Sequence, residues 1–384
     1  MATALTSPLP SIHPVLDPLI VSLADASDPA SGRTGQSQVE VQIEVEDTLD
    51  SGTWRLIGEI LNPYDYTTDT AKAVIHKALQ GALGPDNPEA ILSTTLTEIT
   101  GILKRYRLKV RDVVDGVPVG AFATLDPAIA WQAGRSIQVG TFNPLAGRAY
   151  LLLSRRPTAR RIHPDEPIIV QFLALESSTN ADVVLNVVNT DGTTDSYRFA
   201  GEPILANRVY AIAMPAPKNL TKPAVKVTLS IDSSEFTGTK PTQVFTTIAK
   251  PTPFRQQLYF RNSYGGWDSI ACTGKNEEFS TATGETFEGQ EYAYDPPSGG
   301  VVGGNVRAFN QRATDSFVFR TGYMSKAEHA ALRDLLLRNE AYHLSGATLY
   351  KLIITNTTFR VHTDDEYLYA TEITARYAFD QVAY

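Results

Sequence analysis

The sequence predicts a mainly β, multi-domain protein, with β-sandwich domains and a C-terminal α+β assembly domain that contains one short capped helix. Apolar and polar residues alternate strictly from Val39 to Val45, which is the period of a strand. About seven short strand-like segments, separated by turn signals, fill residues 150–250, a pattern typical of a β-sandwich. A capping box at Ser325–Glu328 opens the clearest amphipathic helix. A length of 384 residues predicts about two to four compact units.

The composition is that of a globular protein with an acidic balance. Hydrophobic residues make up 42% of the chain and charged residues 20%, which excludes a disordered chain. The net charge of −8 argues against a nucleic-acid partner, because binding phosphates requires a basic surface. The single cysteine, Cys272, excludes an intramolecular disulfide, and we expect it to be buried in a strand. We expect no secretory signal and no membrane span, since no stretch approaches about 18 consecutive apolar residues, and hence synthesis in the cytoplasm.

Residues 1–38 form a proline-rich N-terminal segment. Its prolines disfavour a continuous helix and favour an extended path, and large aliphatic residues lie between them. The prolines are Pro8, Pro10, Pro14, Pro18 and Pro29. Two interpretations stay open: an extended arm that lies along another subunit, or a disordered leader.

Residues 39–149 predict a β-rich domain with an inserted helix. The strand Val39–Val45 should pair with Trp54–Ile60 across the Asp50-Ser-Gly52 turn. A short helix is expected over Ala71–Leu83, capped by Asp69 or Thr70 and stopped by Gly84-Pro85. Further strands are predicted at Ile102–Val114 and Phe122–Leu125, and Ala128–Gln132 is left unassigned.

Residues 150–250 predict the β-sandwich, and residues 251–384 the α+β assembly domain. The sandwich strands are expected at Tyr150–Ser154, Ile168–Leu175, Val183–Asn189, Thr194–Phe199, Val209–Ala213, Val225–Ile231 and Gln243–Ile248. In the assembly domain, strands are expected at Ser316–Arg320, Leu349–Thr355, Thr357–His362 and Tyr367–Phe379, with the capped helix after the first of them. The last strand is predicted to be long.

The segment Gln257–Ile270 contains the candidate ligand-binding residues. An aromatic strand breaks at Asn262-Ser263, and Gly265-Gly266 then lies between Tyr264 and Trp267. Two glycines allow a sharp turn that brings both rings to one side. The residues are compatible with a tight hairpin that serves folding, or with an exposed pair, Tyr264 and Trp267, that grips a sugar or a partner chain.

The sequence predicts no catalytic residue, cofactor or metal site, and therefore no enzymatic activity. The six histidines do not form a zinc motif, and no HExxH or CxxC is present. The acidic segments Asn189–Asp195 and Asp364–Glu366 fit hairpin turns better than calcium loops. Gly299–Gly304 lacks the Lys-Ser/Thr of a phosphate loop and is interpreted as a connector.

Three segments together resemble virion structural proteins of phages and prophages of Bacteroidota. They are Leu258–Ile270, with Phe260-Arg-Asn-Ser-Tyr-Gly-Gly-Trp-Asp268; the order Arg320–Leu337, Ala341–Leu344, Tyr350–Ile354 and Tyr367–Phe379; and Arg161–Leu175. The likeness covers residues 150–384, is weak for 1–149 and includes no catalytic motif. It implies a ring-forming, distal-tail-like component of the tail tip or baseplate, a homo-oligomer that contacts other tail proteins and ends in the virion.

Two other functions stay open beside this one. The first is a receptor-binding or tail-fibre protein that recognises host surface glycan through Tyr264 and Trp267. The second is a polysaccharide-degrading tailspike, whose paired carboxylates sequence alone does not identify.

Overall fold

A computed structural model of the chain describes residues 4–6, 8–24, 37–65, 68, 70–84, 92–134, 145–248, 255–288, 306–338, 340–356, 369–379 and 381–382. The fold class is as predicted: mainly β, with several sheets and only short helices. The chain divides into two compact units. The first unit comprises Met1–Arg161, Pro167–Thr247 and Asn262–Trp267; the second comprises Ile162–Glu166, Ile248–Arg261 and Asp268–Tyr384. The predicted domain boundaries, between residues 38 and 39 and between residues 149 and 150, thus both fall inside the first unit.

The N-terminal part of the first unit forms two sheets. Its elements are β1 (Ala4–Leu5), β2 (Ile12–Pro14), β3 (Ile20–Ala24), β4 (Ser37–Glu46), β5 (Trp54–Pro63), β6 (Thr70–Val74), α1 (His76–Ala82), β7 (Thr97–Ile99), β8 (Leu103–Val114), β9 (Val117–Thr124) and β10 (Ala128–Trp131). One sheet has the order β1-β3-β6, and the other has the order β2-β10-β8-β4-β5 with β9 on β8. The predicted alternation in β4 is confirmed, since Val39, Val41, Ile43 and Val45 are all fully buried.

The helix predicted over Ala71–Leu83 is wrong in its first half. Thr70–Val74 is the strand β6, which pairs antiparallel with β3, and only His76–Ala82 is helical. Ala71 and Ala73 are buried while Lys72 and Val74 are exposed, which is the two-residue period of a strand. Alanine has a high helix propensity, but pairing with β3 overrides it here.

The described residues of the proline-rich segment are extended, and they belong to the first unit. β2 pairs parallel with β10, and β3 pairs antiparallel with β6. Val15, Val21 and Leu23 lie in the same hydrophobic core as β4. Packing within the chain therefore accounts for the aliphatic residues between the prolines.

Leu23→Ala is expected to destabilise the first unit by about 2–5 kcal/mol, because it leaves a cavity at a fully buried position. Urea unfolding followed by tryptophan fluorescence measures this, since Trp54, Trp131 and Trp267 all lie in the first unit. Ile20→Ala is the matched control, because Ile20 lies on the same strand and is 54% exposed. Equal effects of the two substitutions would mean that the segment is not part of the core.

Residues 150–247 form the predicted β-sandwich. Its strands are β11 (Tyr150–Leu152), β12 (Ala159–Ile162), β13 (Ile168–Ala174), β14 (Ser178–Asn189), β15 (Thr194–Ile204), β16 (Arg208–Met214), β17 (Ala224–Asp232) and β18 (Gln243–Thr247). All seven predicted strands are present, and β12 is an addition. The sheets have the orders β11-β13-β16-β7 and β12-β18-β17-β14-β15. The Tyr150 hydroxyl, on the first sheet, accepts a hydrogen bond of 2.9 Å from the Ile231 amide on the second.

The sandwich shares strands and core with the N-terminal region. β7, from residues 97–99, is an edge strand of the sandwich and pairs with β16. Trp131 of β10 lies in one hydrophobic cluster with Leu151, Leu153 and Leu173 of the sandwich. This shared cluster explains why residues 39–149 and 150–247 form a single compact unit.

The second unit contains one large sheet with two short helices on one face. Its elements are β19 (Gln256–Arg261), β20 (Trp267–Cys272), β21 (Glu277–Glu288), β22 (Val306–Arg320), α2 (Lys326–Ala331), α3 (Arg333–Arg338), β23 (Ala341–Ser345), β24 (Thr348–Ile354), β25 (Glu372–Tyr377) and β26 (Gln381–Val382). The order is β20-β19-β23-β24-β25-β22-β21, with β26 on β22. Leu332 and Leu335 pack on Phe260 and Leu352 in its core. Cys272 is buried in β20, as predicted.

The capping box is confirmed, but the helix and the last strand are shorter than predicted. The Ser325 hydroxyl accepts from the Glu328 amide, and the Glu328 carboxylate accepts from the Ser325 amide. The helix is interrupted at Leu332, so α2 and α3 have six residues each. The final strand predicted over Tyr367–Phe379 is β25, Glu372–Tyr377. The predicted strand Thr357–His362 lies outside the described residues.

The large sheet is strongly curved. Its edge strands β20 and β21 follow each other in sequence and are joined only by residues 273–276. A flat sheet of this order would separate its edges by about 29 Å, whereas such a connection spans at most about 18 Å. The sheet therefore bends until its edges approach, and the Gly274 amide of the connection donates to the Arg320 carbonyl of β22 at 2.9 Å.

Candidate functional site

The turn between β19 and β20 is organised by the side chain of Asn262. Its Oδ1 accepts from the amides of Tyr264 (2.9 Å) and Gly266 (3.2 Å), as in an Asx turn. Its Nδ2 donates to the carbonyl of Leu153 at 2.9 Å, which ties the turn to the sandwich. The Asn262 amide donates to the Gly266 carbonyl at 2.8 Å and closes the turn.

Both glycines of the turn are required by its close contacts. Gly265 has φ of +79°, and a Cβ there would lie 2.5 Å from the carbonyl oxygen of Gln132. A Cβ on Gly266 would lie 2.2 Å from the carbonyl oxygen of Leu153. Side chains at these positions would overlap backbone atoms, which cannot move without disturbing the sandwich strands.

The structure places the two predicted ligand-binding residues differently. Trp267 is only 3% exposed, and its amide donates to Oε1 of Gln171 at 2.7 Å. Tyr264 is half-buried and stacks on Trp131 with ring centroids 6.4 Å apart, while the Arg155 guanidinium lies 5.4 Å from its ring. This geometry favours the hairpin interpretation. Glycan binding by the pair stays a prediction, for which Tyr264 alone offers accessible surface.

A cavity of about 560 Å³ opens in the second unit. Its apolar lining consists of Phe317, Phe319 and Tyr377. The polar lining comprises Arg255, Gln256, Lys275, Asn276, Glu277, Glu278, His343 and Ser345. Cavities of roughly 300–1,000 Å³ with a mostly apolar lining and a few polar groups are typical of small-molecule sites.

His343 is held in a fixed position at the floor of this cavity. Its Nε2 lies 2.7 Å from Oε1 of Gln256, and its Nδ1 lies 3.1 Å from the hydroxyl of Tyr377. The Gln256 oxygen can only accept, so Nε2 carries the proton and Nδ1 accepts from Tyr377. Burial lowers the pKa of His343 to about 4, and burial also raises the pKa of Tyr377 to about 12. Both groups are therefore neutral near pH 7.

We expect the second unit to lose stability as the pH falls from about 6.5 to 4. The unfolded chain takes up a proton on His343 near pH 6.5, whereas the folded chain does so only near 4, so acid favours unfolding. The loss attributable to His343 is about 3 kcal/mol at pH 4. Calorimetry of His343→Gln should show a shallower decline over this range. His76→Gln, in the first unit, is the control and should leave it unchanged; an equally steep decline in His343→Gln would contradict the assignment.

Strands β21 and β22 form a ribbon that extends past the rest of the sheet. They pair over eleven residue pairs, from Glu277↔Val318 to Glu288↔Val306. Among the described residues, the part of β22 that pairs with β25 is 316–320, and the part that pairs with β26 is 312–313. Residues 278–286 are all exposed, and the ring of Phe279 is among them at 51%. We refer to β21 with residues 306–315 of β22 as the ribbon.

Asp191 accepts from the Thr193 amide at 2.9 Å and pairs with Lys222 at 3.0 Å, so Asn189–Asp195 is a hairpin turn. Gly299–Gly304 and Asp364–Glu366 lie outside the described residues. Within the described part of the chain, no three His, Cys, Asp or Glu side chains converge as metal ligands would. Of the helices described, none has the length and apolar character needed to cross a bilayer.

Sequence reasoning missed the cavity. Most of its residues come from β19, β21, β22, β23 and β25, and the pairing of these strands is not visible in the sequence. The other three are Arg255, just before β19, and Lys275 and Asn276, between β20 and β21. A partial signal existed, because Phe317 and Phe319 alternate on one face of β22. His343 and Tyr377 join that face only through the observed register of the sheet.

Comparison with known proteins adds little to this geometry. No protein-family model matches the chain, and no curated protein matches it. Among solved structures, the full extracellular region of plexin A4 aligns with 96% of this chain at 10% identity and a TM-score of 0.18. The chain spans 35% of the length of that region. A TM-score this low indicates no shared arrangement and supports no conclusion about function.

Proposed function

We propose that the chain is a non-enzymatic structural component of a phage tail tip or baseplate, where its copies form a ring and contact other tail proteins. It is made in the host cytoplasm, ends in the virion tail and needs no cofactor. The resemblance of residues 150–384 to virion proteins motivates this function. The structural observation that supports it best is the exposed ribbon.

The ribbon suits a role as an assembly contact. A two-stranded ribbon on its own is marginally stable in water and gains stability from packing against a further surface. Within the described residues, side chains 278–286 lack such cover, and Phe279 exposes an aromatic ring. A contact in which the ribbon of one copy meets a different surface of the next is heterologous. Such contacts form a closed ring when the rotation between neighbouring copies closes, and an open filament when it does not.

Mass measurement of the purified protein tests the proposal. We expect light scattering to show a closed oligomer, with a mass that is a fixed multiple of 41.9 kDa. A monomer at every accessible concentration would overturn the homo-oligomeric function. The position of the chain in a reconstruction of the whole particle would then decide whether it belongs to the tail.

A shortened ribbon tests the supporting observation separately. Replacing residues 284–311 by Asn-Gly joins the cross-strand pair Thr283↔Arg312 through a two-residue turn. The variant should keep the thermal unfolding of the wild type but form a smaller oligomer. Phe279→Thr should likewise reduce the mass of the oligomer. Val117→Thr is its control, because Val117 lies on an exposed strand of the first unit and is 64% exposed.

A further inference from the structure

We propose that the cavity of the second unit, between Tyr377, Glu278 and Ser345, binds a neutral sugar ring. This site is separate from Tyr264 and Trp267, which belong to the first unit. The inference does not require that the chain forms a ring. It would give the protein a carbohydrate-recognition function in addition to the proposed structural one.

The cavity offers an aromatic platform of the kind that sugars stack on. The lining includes the rings of Phe317, Phe319 and Tyr377, of which Tyr377 is the most accessible. Phe379, outside the lining, stacks on Tyr377 with ring centroids 5.1 Å apart and an interplanar angle of 8°, which fixes the orientation of the Tyr377 ring. Phe317 packs edge-on against Tyr377, with ring centroids 4.6 Å apart, and holds the Tyr377 ring in place. The face of an aromatic ring is electron-rich, so it attracts the weakly positive C–H groups on one face of a sugar.

The polar groups beside the platform match the hydroxyls of a sugar. The Oε1 of Gln256 accepts from His343, whereas its NH₂ group donates to no acceptor among the described residues. The hydroxyl of Ser345 and the carboxylate of Glu278 likewise form no hydrogen bond with a described residue, and both residues are exposed. The Gln256 NH₂ group can donate, the Glu278 carboxylate can accept, and the Ser345 hydroxyl can do both. Each sugar hydroxyl can also donate and accept, so it can bind any of the three groups.

The charges of the cavity favour a neutral ligand over an ionic one. Arg255 and Lys275 are balanced by Glu277 and Glu278, so the lining has no formal net charge when His343 is neutral. Lys275 lies 3.8 Å from Glu277, which also pairs with Arg320 at 3.1 Å. Arg255 donates to the Asp165 carbonyl at 3.4 Å. The lining therefore carries no net charge that would favour an ionic ligand.

Ligand-observed NMR with single sugars tests the inference. The probes are glucose, galactose, mannose and N-acetylglucosamine, with anionic N-acetylneuraminate and cationic glucosamine for comparison. We expect saturation transfer to at least one neutral sugar and less to the charged ones.

Ser345→Ala and Glu278→Gln should each lower the affinity by about fivefold, the loss expected for one hydrogen bond. Tyr377→Leu should abolish the signal. Tyr323→Leu, at a ring that is 75% exposed and outside the cavity lining, should leave it unchanged.

Several outcomes would overturn the inference. They are no transfer to any neutral sugar, transfer that survives Glu278→Gln combined with Ser345→Ala, or a preference for a charged sugar. If these substitutions instead change the mass of the oligomer, the cavity accommodates a neighbouring copy and not a sugar. Ser345 and Glu278 are exposed, so these two variants should fold even if Tyr377→Leu does not.

Discussion

Gly266→Ala is expected to destabilise the first unit by about 3 kcal/mol or more. The added methyl group would lie 2.2 Å from the Leu153 carbonyl oxygen and 2.7 Å from its Cβ. Overpacking usually costs about 1–3 kcal/mol, and the upper end applies here because backbone atoms must move. Urea unfolding followed by tryptophan fluorescence gives the free energy of unfolding of this unit.

Two glycines elsewhere provide matched controls for the turn. Gly81 lies in α1 with no atom within 4 Å of an added Cβ, so Gly81→Ala should stabilise the unit by about 0.5–1 kcal/mol. Gly116 has the same φ as Gly265, +79°, but open space around it. Both Gly265→Ala and Gly116→Ala place a side chain at positive φ, but only Gly265→Ala also creates a clash with Gln132. The difference between their losses in free energy of unfolding therefore measures the clash alone. Similar changes in the free energy of unfolding for Gly266→Ala and Gly81→Ala would show that Gly266 does not contact Leu153 tightly.

Arg261→Met is expected to destabilise the second unit by about 3–5 kcal/mol. Arg261 is fully buried, and its Nε donates to Oε2 of Glu340 at 2.7 Å. Removing the guanidinium leaves the Glu340 carboxylate, whose side chain is 21% exposed, without this partner. Calorimetry detects the loss as a lower transition temperature of the second unit. Calorimetry is needed because this unit contains no tryptophan whose fluorescence could report its unfolding.

The double variant and a surface control make this prediction specific. Arg261→Met with Glu340→Leu should recover most of the lost stability, because an apolar pair can replace a buried ion pair at little cost. Lys275→Met should change stability by less than about 1 kcal/mol, since Lys275 is 86% exposed and its pair with Glu277 is screened by water. A small effect of Arg261→Met would show that the buried pair contributes no net stability.

Local periodicity predicted most strands, while the relations between distant segments could not be predicted. The alternation of Val39, Val41, Ile43 and Val45 identified β4, and the Ser325–Glu328 capping box located α2, because both signals lie within a few residues. The partner of β3 is β6, about fifty residues later, and no local pattern indicates this pairing. The helix predicted over Ala71–Leu83 failed for the same reason.

The candidate sites show the same division. The Gly265-Gly266 turn was visible in the sequence, but the burial of Trp267 depends on Gln171 and on the sandwich around it. The residues of the sugar cavity lie as far apart in sequence as Gln256 and Tyr377. Only the register of the curved sheet brings them together.

The order of segments in the first unit has a consequence for folding during synthesis. Ile12 of β2 pairs with Ile129 of β10, so β2 waits for 117 more residues before its partner is made, or about 6–23 s at usual rates of translation. The unit also includes Asn262–Trp267, which the ribosome makes after residues 248–261 of the second unit. The two units therefore cannot fold strictly one after the other. A nascent chain that ends at residue 250 should remain sensitive to protease, and one extended past Trp267 should become resistant.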